Sequence, residues 1–451
     1  MQIMWFRKDL RILDNPALTQ ACQAGRVTAV YFITPQQWQY HDVAPIQLDF
    51  LEKTLQKLAD ALATLGIEFI VQTLPSFDHI PQALSTLCQQ IKATRVVANS
   101  EVELDEINRD IKVQHQGINL KLYQGDCILN AGQVLTRQGT MFKVFTPFKN
   151  NWLKQVAALD LCPDPQPKKQ QAPLLATQIN IDMQKKDSRA WEAGEEKAHT
   201  KLSLFLDESL TRYDQERDFP ANPGTSNLSP YLALGVISVK QCLNALLQRY
   251  PHALENRRDG PSTWVNELVW REFYRHIMLL NPRLCMGHNY NELGNHIQWQ
   301  NDLHLFYSWC EGKTGYPLVD AAMRQLVTTG WMHNRLRMIC ASFLTKDLLV
   351  DWRWGEAFFK RHLIDGDFAS NNGGWQWAAS TGCDAQPYFR IFNPIIQSQR
   401  FDPQGQFIST YLPALSHLNN KLIHLPQQPI VEHKLARLKA LEIFSVLKKR
   451  A

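Results

Sequence analysis

The chain has 451 residues, 45% of them hydrophobic, and a net charge of +5; that length and apolar content suit two sizeable cores rather than one, and the mild basicity suits a polyanionic partner without requiring one. Its nine cysteines stand singly, with no Cys-x-x-Cys pair and no histidine cluster at ligand spacing, so neither a metal site nor a disulfide framework is expected. The opening MQIMWFRKDLR is broken by Arg7, Lys8 and Asp9 and no later run approaches a membrane span, which predicts a soluble protein of a reducing, cytoplasmic compartment.

From residue 1 to about 130, short β-rich runs (QIMWF, VTAVYFI, IEFIVQT, TRVVANS, NLKLYQG) alternate with helical patterns. That rhythm predicts an α/β N-terminal domain with a parallel sheet and crossover helices. The clearest helix carries Leu48, Leu51, Leu55, Leu58, Leu62 and Leu65 at spacings of three and four, with Gly66 placed to end it; its leucine stripe should lie on the sheet. Residues 131–195 read as a linker region, centred on CPDPQPKKQQAPLLATQINIDMQKKD at 162–187, where Pro, Gln and Lys replace periodicity. From 196 to 451 the β runs disappear. Ser229 before Pro230, Pro317 before an apolar periodic segment and Gly330 after it punctuate a mostly α-helical second domain.

The common nucleotide signatures are missing. No G-x-G-x-x-G follows an early strand, and the GKT at Gly312 to Thr314 has Tyr307 where a P-loop needs glycine. More telling, nine of the thirteen tryptophans (264, 270, 299, 309, 331, 352, 354, 375 and 377) fall within a quarter of the chain. Core packing accounts for any one of them; their density among Arg, Asn and Asp suits a pocket for a planar ring or stacked bases. In PSTWVNELVWREFYRHIMLL, Trp264, Glu267, Trp270 and Tyr274 share a helical stripe. The carboxylate within it either pairs locally with Arg271 at i+4 or is presented to a ligand. In WMHNRLRMICASF, Asn334 and Met338 share a helical face, and in DGDFASNNGGWQWAAS (365–380) two Asp, two Asn and two Gly precede Trp-x-Trp. Acceptors, adaptable backbone and flat surfaces gathered in this way suit a nucleotide cofactor.

These strings, with WFRKDLRILDN, RYDQERDFP, GTSNLS, EGKTGYPLVDAAMRQL and DAQPYFRIFNP, are similar to the DNA photolyase and cryptochrome family over nearly the whole chain. The resemblance implies an N-terminal α/β domain, a long linker and a mostly α-helical FAD-binding domain. It implies a flavin cradle of Tyr213, Thr225, Ser226, Leu228, Ser229, Trp264, Glu267, Arg271, Asn334, Arg337, Asp365, Asp367 and Asn371, the last facing flavin N5. It further implies an electron path from Trp299 at the surface through Trp352 to Trp375.

Six-four photolyases carry histidines where this chain has Asn334 and Met338. The WMHNRLRM string, Asn371 and Glu267 instead resemble enzymes that repair cyclobutane pyrimidine dimers, acting as monomers on damaged DNA. Glu267, Asn334 and Met338 would be the catalytic contacts to a flipped dimer. Trp270, Tyr274 and Trp377 would pack against its bases, with Arg217, Arg335 and Arg390 at the DNA. For the family's antenna chromophore, folate-using members hold an Asn-Glu pair and a Cys-Lys pair; the matching positions here are Asp105-Glu106 and Cys285-Met286. A folate (methenyltetrahydrofolate) that loses the lysine cation would be held weakly or be replaced by another chromophore, and a solvated helix face is the plainer reading of Asp105 and Glu106. The rival to repair is a blue-light cryptochrome photoreceptor.

Overall fold

Strands β1 (Gln2–Trp5), β2 (Val27–Ile33), β3 (Glu68–Thr73), β4 (Arg95–Asn99) and β5 (Leu120–Tyr123) form one parallel sheet in the order β3-β2-β1-β4-β5. The computed structural model describes residues 1–448. β1 and β2 are buried along their whole length, as expected where crossover helices cover both faces. The two-residue period of β1 divides its side chains: Ile3 and Trp5 face one core with Leu84, Leu87 and Val113, while Met4, followed by Phe6, faces the other with Leu51, Leu55 and Leu58. The leucine helix runs Pro45–Thr64, and Gly66 follows it in the left-handed region at φ 70°.

The region 131–195 is not featureless. It contains the helix Phe145–Val156, whose Phe148 and Trp152 are buried, and the rest is strapped to the α/β domain. Gln170 and Leu174 donate their amides to the carbonyls of Leu65 and Ala63, and the Ile179 and Ile181 amides reach the side chains of Gln56 and Glu52. Lost periodicity marked a segment whose hydrogen bonds go to another element, not one without partners. Beyond it the chain is helical, including Gly260–Leu280, Pro317–Thr329, Asn334–Ser342, Trp352–Lys360, Phe368–Ala378 and His433–Ile443. Gly330 ends the second of these at φ 74°. Among the described residues no helix is long and apolar enough to cross a membrane.

The principal core does not stop at the sheet. Met4 and Leu55 belong to the same cluster as Leu206, Val265, Leu268 and Phe273, so the sheet and the helical bundle share buried apolar surface. At their junction the backbones touch: Gly235, at φ 63°, would place an added Cβ 2.1 Å from the Lys8 carbonyl oxygen. Gly235→Ala therefore combines left-handed strain with a backbone clash and should lower stability by about 2–4 kcal/mol, read from chemical denaturation. An unshifted midpoint would contradict that close approach.

Candidate active site

Three helices converge on the sequence-predicted residues: Gly260–Leu280 packs against Phe368–Ala378, which in turn packs against Asn334–Ser342. The first carries Glu267, Trp270 and Tyr274, the second Asn371, Trp375 and Trp377, and the third Asn334, Arg337 and Met338. Glu267 and Met338 are only half-buried and Asn334 is exposed, so the region around these three helices is accessible to a ligand at those residues.

Glu267 does not pair with Arg271. Arg217, 50 residues earlier in the chain, donates to its carboxylate. Burial raises the Glu267 carboxyl above its ordinary value, and the Arg217 guanidinium opposes that shift. Arg271 is instead taken by Asp126, in the loop after β5. Asp126 also accepts from Arg275, which bridges to Asp367 at 2.8 Å. The two guanidinium groups hold the Asp126 carboxyl down to about 2 against the effect of burial. The neighbouring Glu272 accepts from the Ile128 amide and from Trp152 Nε1 at 2.5 Å. One face of a single helix is thus keyed into the α/β domain while the other presents Glu267.

Arg337 Nη2 donates to both oxygens of Asp365, at 2.8 and 3.0 Å, a charge-assisted pair that restrains both side chains. Asn371 spends its Nδ2 on the Glu356 carbonyl at 3.0 Å, which leaves its own carbonyl oxygen as an acceptor. One turn along, Gly374 is exposed and an added Cβ there would meet nothing within 4 Å. An open glycine, a directed amide oxygen and Trp375 on one helix fit a planar, hydrogen-bonding ring. Thr225, Ser226 and Asn227 are half-buried ahead of the short helix Ser229–Ala233, with Asn227 left-handed at φ 50° and Leu228 buried. Tyr213 and Trp264 are buried against Phe205, with ring centroids at 5.6 and 5.2 Å; both pack in the wall of the region.

The residues expected at DNA fall into two groups. Trp270 lies flat on Phe145, with centroids 3.7 Å apart and planes within 3°, and Tyr274 packs so closely on Gly373 that an added Cβ would fall 2.2 Å from its ring. Trp377 is half-buried and Arg390 is exposed. Arg335, by contrast, is held by Asp218 at 2.7 Å with its guanidinium over Phe401 at 4.5 Å. Phe145, Asp126 and Asp218 escaped sequence reading because no local period links them to their partners.

The three tryptophans of the expected electron path occupy one core. Trp375 and Trp352 are buried within it, and half-buried Trp299 packs at its edge beneath Phe444, 5.6 Å away. Trp352 Nε1 donates to Asn289 at 2.9 Å. The expected antenna residues also meet: Cys285 Sγ accepts the Leu104 amide at 3.4 Å, directly before Asp105 and Glu106. Their helix face is not simply solvated. Asp105 pairs with His41 at 2.9 Å, and Glu106 is 3% exposed with Lys8 at 3.5 Å and Oε2 unpartnered. Lys8 also lies within 4 Å of Glu101 and Glu103. Met286 is 66% exposed, without a charge to offer.

Two family models match the chain: DNA photolyase over residues 2–170, and the FAD binding domain of DNA photolyase over residues 264–445. A deoxyribodipyrimidine photo-lyase of Vibrio cholerae is 47% identical, covering 94% of this chain and 93% of its own. Among solved structures, a bacterial class III photolyase from Agrobacterium tumefaciens superposes with a TM-score of 0.87 at 34% identity, covering 99% of this chain and 98% of its own. A Synechocystis cryptochrome gives 0.85 at 29% identity, over 98% of this chain and 99% of its own.

Gly355 is the packing point on which Trp375 depends, since an added Cβ would lie 2.1 Å from that ring. Gly355→Ala should displace the indole, costing about 1–3 kcal/mol and altering the near-ultraviolet circular dichroism; an unchanged spectrum would show that Trp375 is not held there.

Proposed function

Because the chain belongs to the DNA photolyase family, we propose that it is a light-driven repair enzyme for cyclobutane pyrimidine dimers in DNA, a deoxyribodipyrimidine photo-lyase with FAD as its cofactor. The observation that carries this reading is the packing together of the three helices that carry Glu267, Asn371, and Asn334 with Met338, all four side chains at least partly exposed and the helices tied by partly buried ion pairs. When bound, fully reduced FAD supplies the excited-state electron that opens the cyclobutane ring and recovers it afterwards, so the reaction has no net redox change.

Arg337, Asp365, Asp367 and Asn371 would hold the cofactor, together with Thr225, Ser226, Leu228 and Ser229. Repair then needs the dimer extruded from the duplex, and the weakened stacking of a damaged step lowers that penalty. Trp270 offers a base-sized face backed by Phe145, so the ring is rigid before the base arrives. Glu267, with Asn334 and Met338, would contact the two bases of the dimer. With its proton affinity raised by burial, it can donate a hydrogen bond to a carbonyl oxygen as negative charge develops on the base. Arg217 holds that carboxyl in place before the dimer binds. Trp299, Trp352 and Trp375 form the route by which an oxidised cofactor is reduced under light. The protein acts as a monomer in the cytoplasm.

The cryptochrome alternative shares the fold, as the Synechocystis structure shows. It has no use for a carboxyl, an amide and a thioether presented by helices packed on one another. Antenna folate fits the site poorly: the cation for its carboxylates is missing at Met286, and Asp105 is already engaged by His41.

Anaerobically reduced protein under blue light should remove a single thymine dimer from an oligonucleotide, and lose that activity in the dark. Persistence of the dimer on bound, reduced, illuminated enzyme would favour the photoreceptor. Glu267→Ala should lower the repair yield several-fold while retaining flavin, since a hydrogen bond to the developing charge is lost. Arg217→Ala removes the charge that holds the carboxyl down, so Glu267 should stay protonated to higher pH. The pH dependence of single-turnover repair at saturating DNA should then move upward, and an unmoved profile would break the link between the two residues. Trp299→Phe should block photoreduction of oxidised flavin yet spare repair by enzyme reduced beforehand, a pair of outcomes separated by absorption spectroscopy and dimer counting.

A further inference from the structure

Helix Asn334–Ser342 continues into a π-helical turn, Phe343–Asp347, and that wider turn carries a lysine inward. Lys346 is 0% exposed. The chain leaves the turn through Leu349 in the left-handed region at φ 53°, an unfavourable conformation for a branched side chain. The Leu349 carbonyl accepts the Gln300 amide at 2.8 Å, which ties the turn to the segment bearing Trp299.

An ammonium in the interior needs compensation, and little is offered. The adjacent Asp347 is engaged by His433 at 2.6 Å, and the Phe444 ring lies 5.8 Å from Lys346 Nζ. Among the described residues its one hydrogen-bond acceptor is the carbonyl oxygen of Arg390, at 3.3 Å. The same oxygen accepts from Gln386 Nε2 at 2.7 Å. Methionine or leucine would fill the space without the penalty of burying a charge. Burial pushes the Lys346 ammonium down to about 7, so what the lysine adds is an N–H donor aimed at one backbone oxygen of one turn.

That turn faces two ways. Tyr388 and Ile391 pack into a small core with Ile297, Leu349, Ala440 and Phe444, whereas Phe389 is 58% exposed and Arg390 points to solvent without an ion pair among the described residues. The Arg390 amide closes the turn onto the Pro387 carbonyl at 2.9 Å.

We propose that Lys346 is a positioning residue for DNA: without touching the duplex, it fixes the carbonyl of Arg390 and so holds the 386–390 turn that presents Phe389 and Arg390 to the nucleic acid. This rests on the assignment of Arg390 to the DNA backbone made above. The flavin-loaded full chain carrying Lys346→Met should bind a dimer-containing duplex up to about tenfold more weakly by fluorescence anisotropy, the scale set by losing one hydrogen bond. Amides 386–391 should exchange faster, while the flavin spectrum and the repair yield per bound dimer are retained. Gln386→Leu removes the other donor to the same oxygen and should weaken binding in the same direction, which keeps the test available if Lys346→Met does not fold. Arg390→Ala separates the two layers of the argument. If it leaves affinity unchanged, the DNA role of Arg390 falls. If it weakens binding but Lys346→Met and Gln386→Leu do not, the positioning role falls. A loss of affinity in Lys346→Met that is matched by loss of flavin or of yield per bound dimer also overturns it, because the lysine would then be a general support of the fold.

Discussion

Asp126 lies between the guanidinium groups of Arg271 and Arg275, and that compensated charge sets the geometry of everything downstream. A carboxylate moved out of water alone would carry a penalty of several kcal/mol. With two cations and the Arg275–Asp367 pair on the far side, it becomes a pin between the loop after β5 and two helices of the bundle. Glu272 adds a second pin one turn away, accepting the Ile128 amide and the Trp152 indole N–H. Because a helix turns about 100° per residue, the face that carries Arg271, Glu272 and Arg275 to the α/β domain leaves Glu267, Trp270 and Tyr274 on the face toward the site. Two jobs are given to one rigid element, so the orientation of the Glu267 carboxyl is inherited from the interdomain contact.

Three carboxyls, Glu272 buried and Asp126 and Glu356 half-buried, show how environment separates groups of the same chemistry. Asp126 is held near 2 by cations, whereas Glu272 and Glu356 are pushed up to about 7 by burial with only neutral donors in contact. Glu267 lies between these cases, raised by burial and restrained by Arg217. Such a group can be moved by the arrival of a ligand that takes the arginine elsewhere. The others are fixed by partners that belong to the fold and stay in place.

The tryptophans of the proposed electron path are held by tight packing. Trp375 is gripped by Gly355 on one side and by Phe359 and Trp309 at 4.9 and 6.0 Å on others, while Trp299 sits under Phe444 of the C-terminal segment. Packing of this kind restrains ring orientation, which an electron path needs. The same small core that covers Trp299 also seats Tyr388 and Ile391, so the end of the tryptophan series and the turn bearing Arg390 rest on one apolar platform.

The strands and the leucine helix were legible because periods of two and 3.6 are local properties of the chain. The tryptophan density, the Asn334–Met338 face and the acidic and amide-rich run at 365–380 likewise marked the region of the site before any fold was known. Partner choice was not legible. At i+4 from Glu267 the sequence offers Arg271, but the carboxylate meets Arg217 across 50 positions and Arg271 meets Asp126 across 145. Phe145 behind Trp270, Asp218 on Arg335, the burial of Glu106 and the inward turn of Lys346 are of the same kind. The physical reason is that helical periodicity fixes which residues share a face, whereas the charge or ring that meets that face is supplied by whatever element packs on it. Only the assembled sheet and bundle decide that.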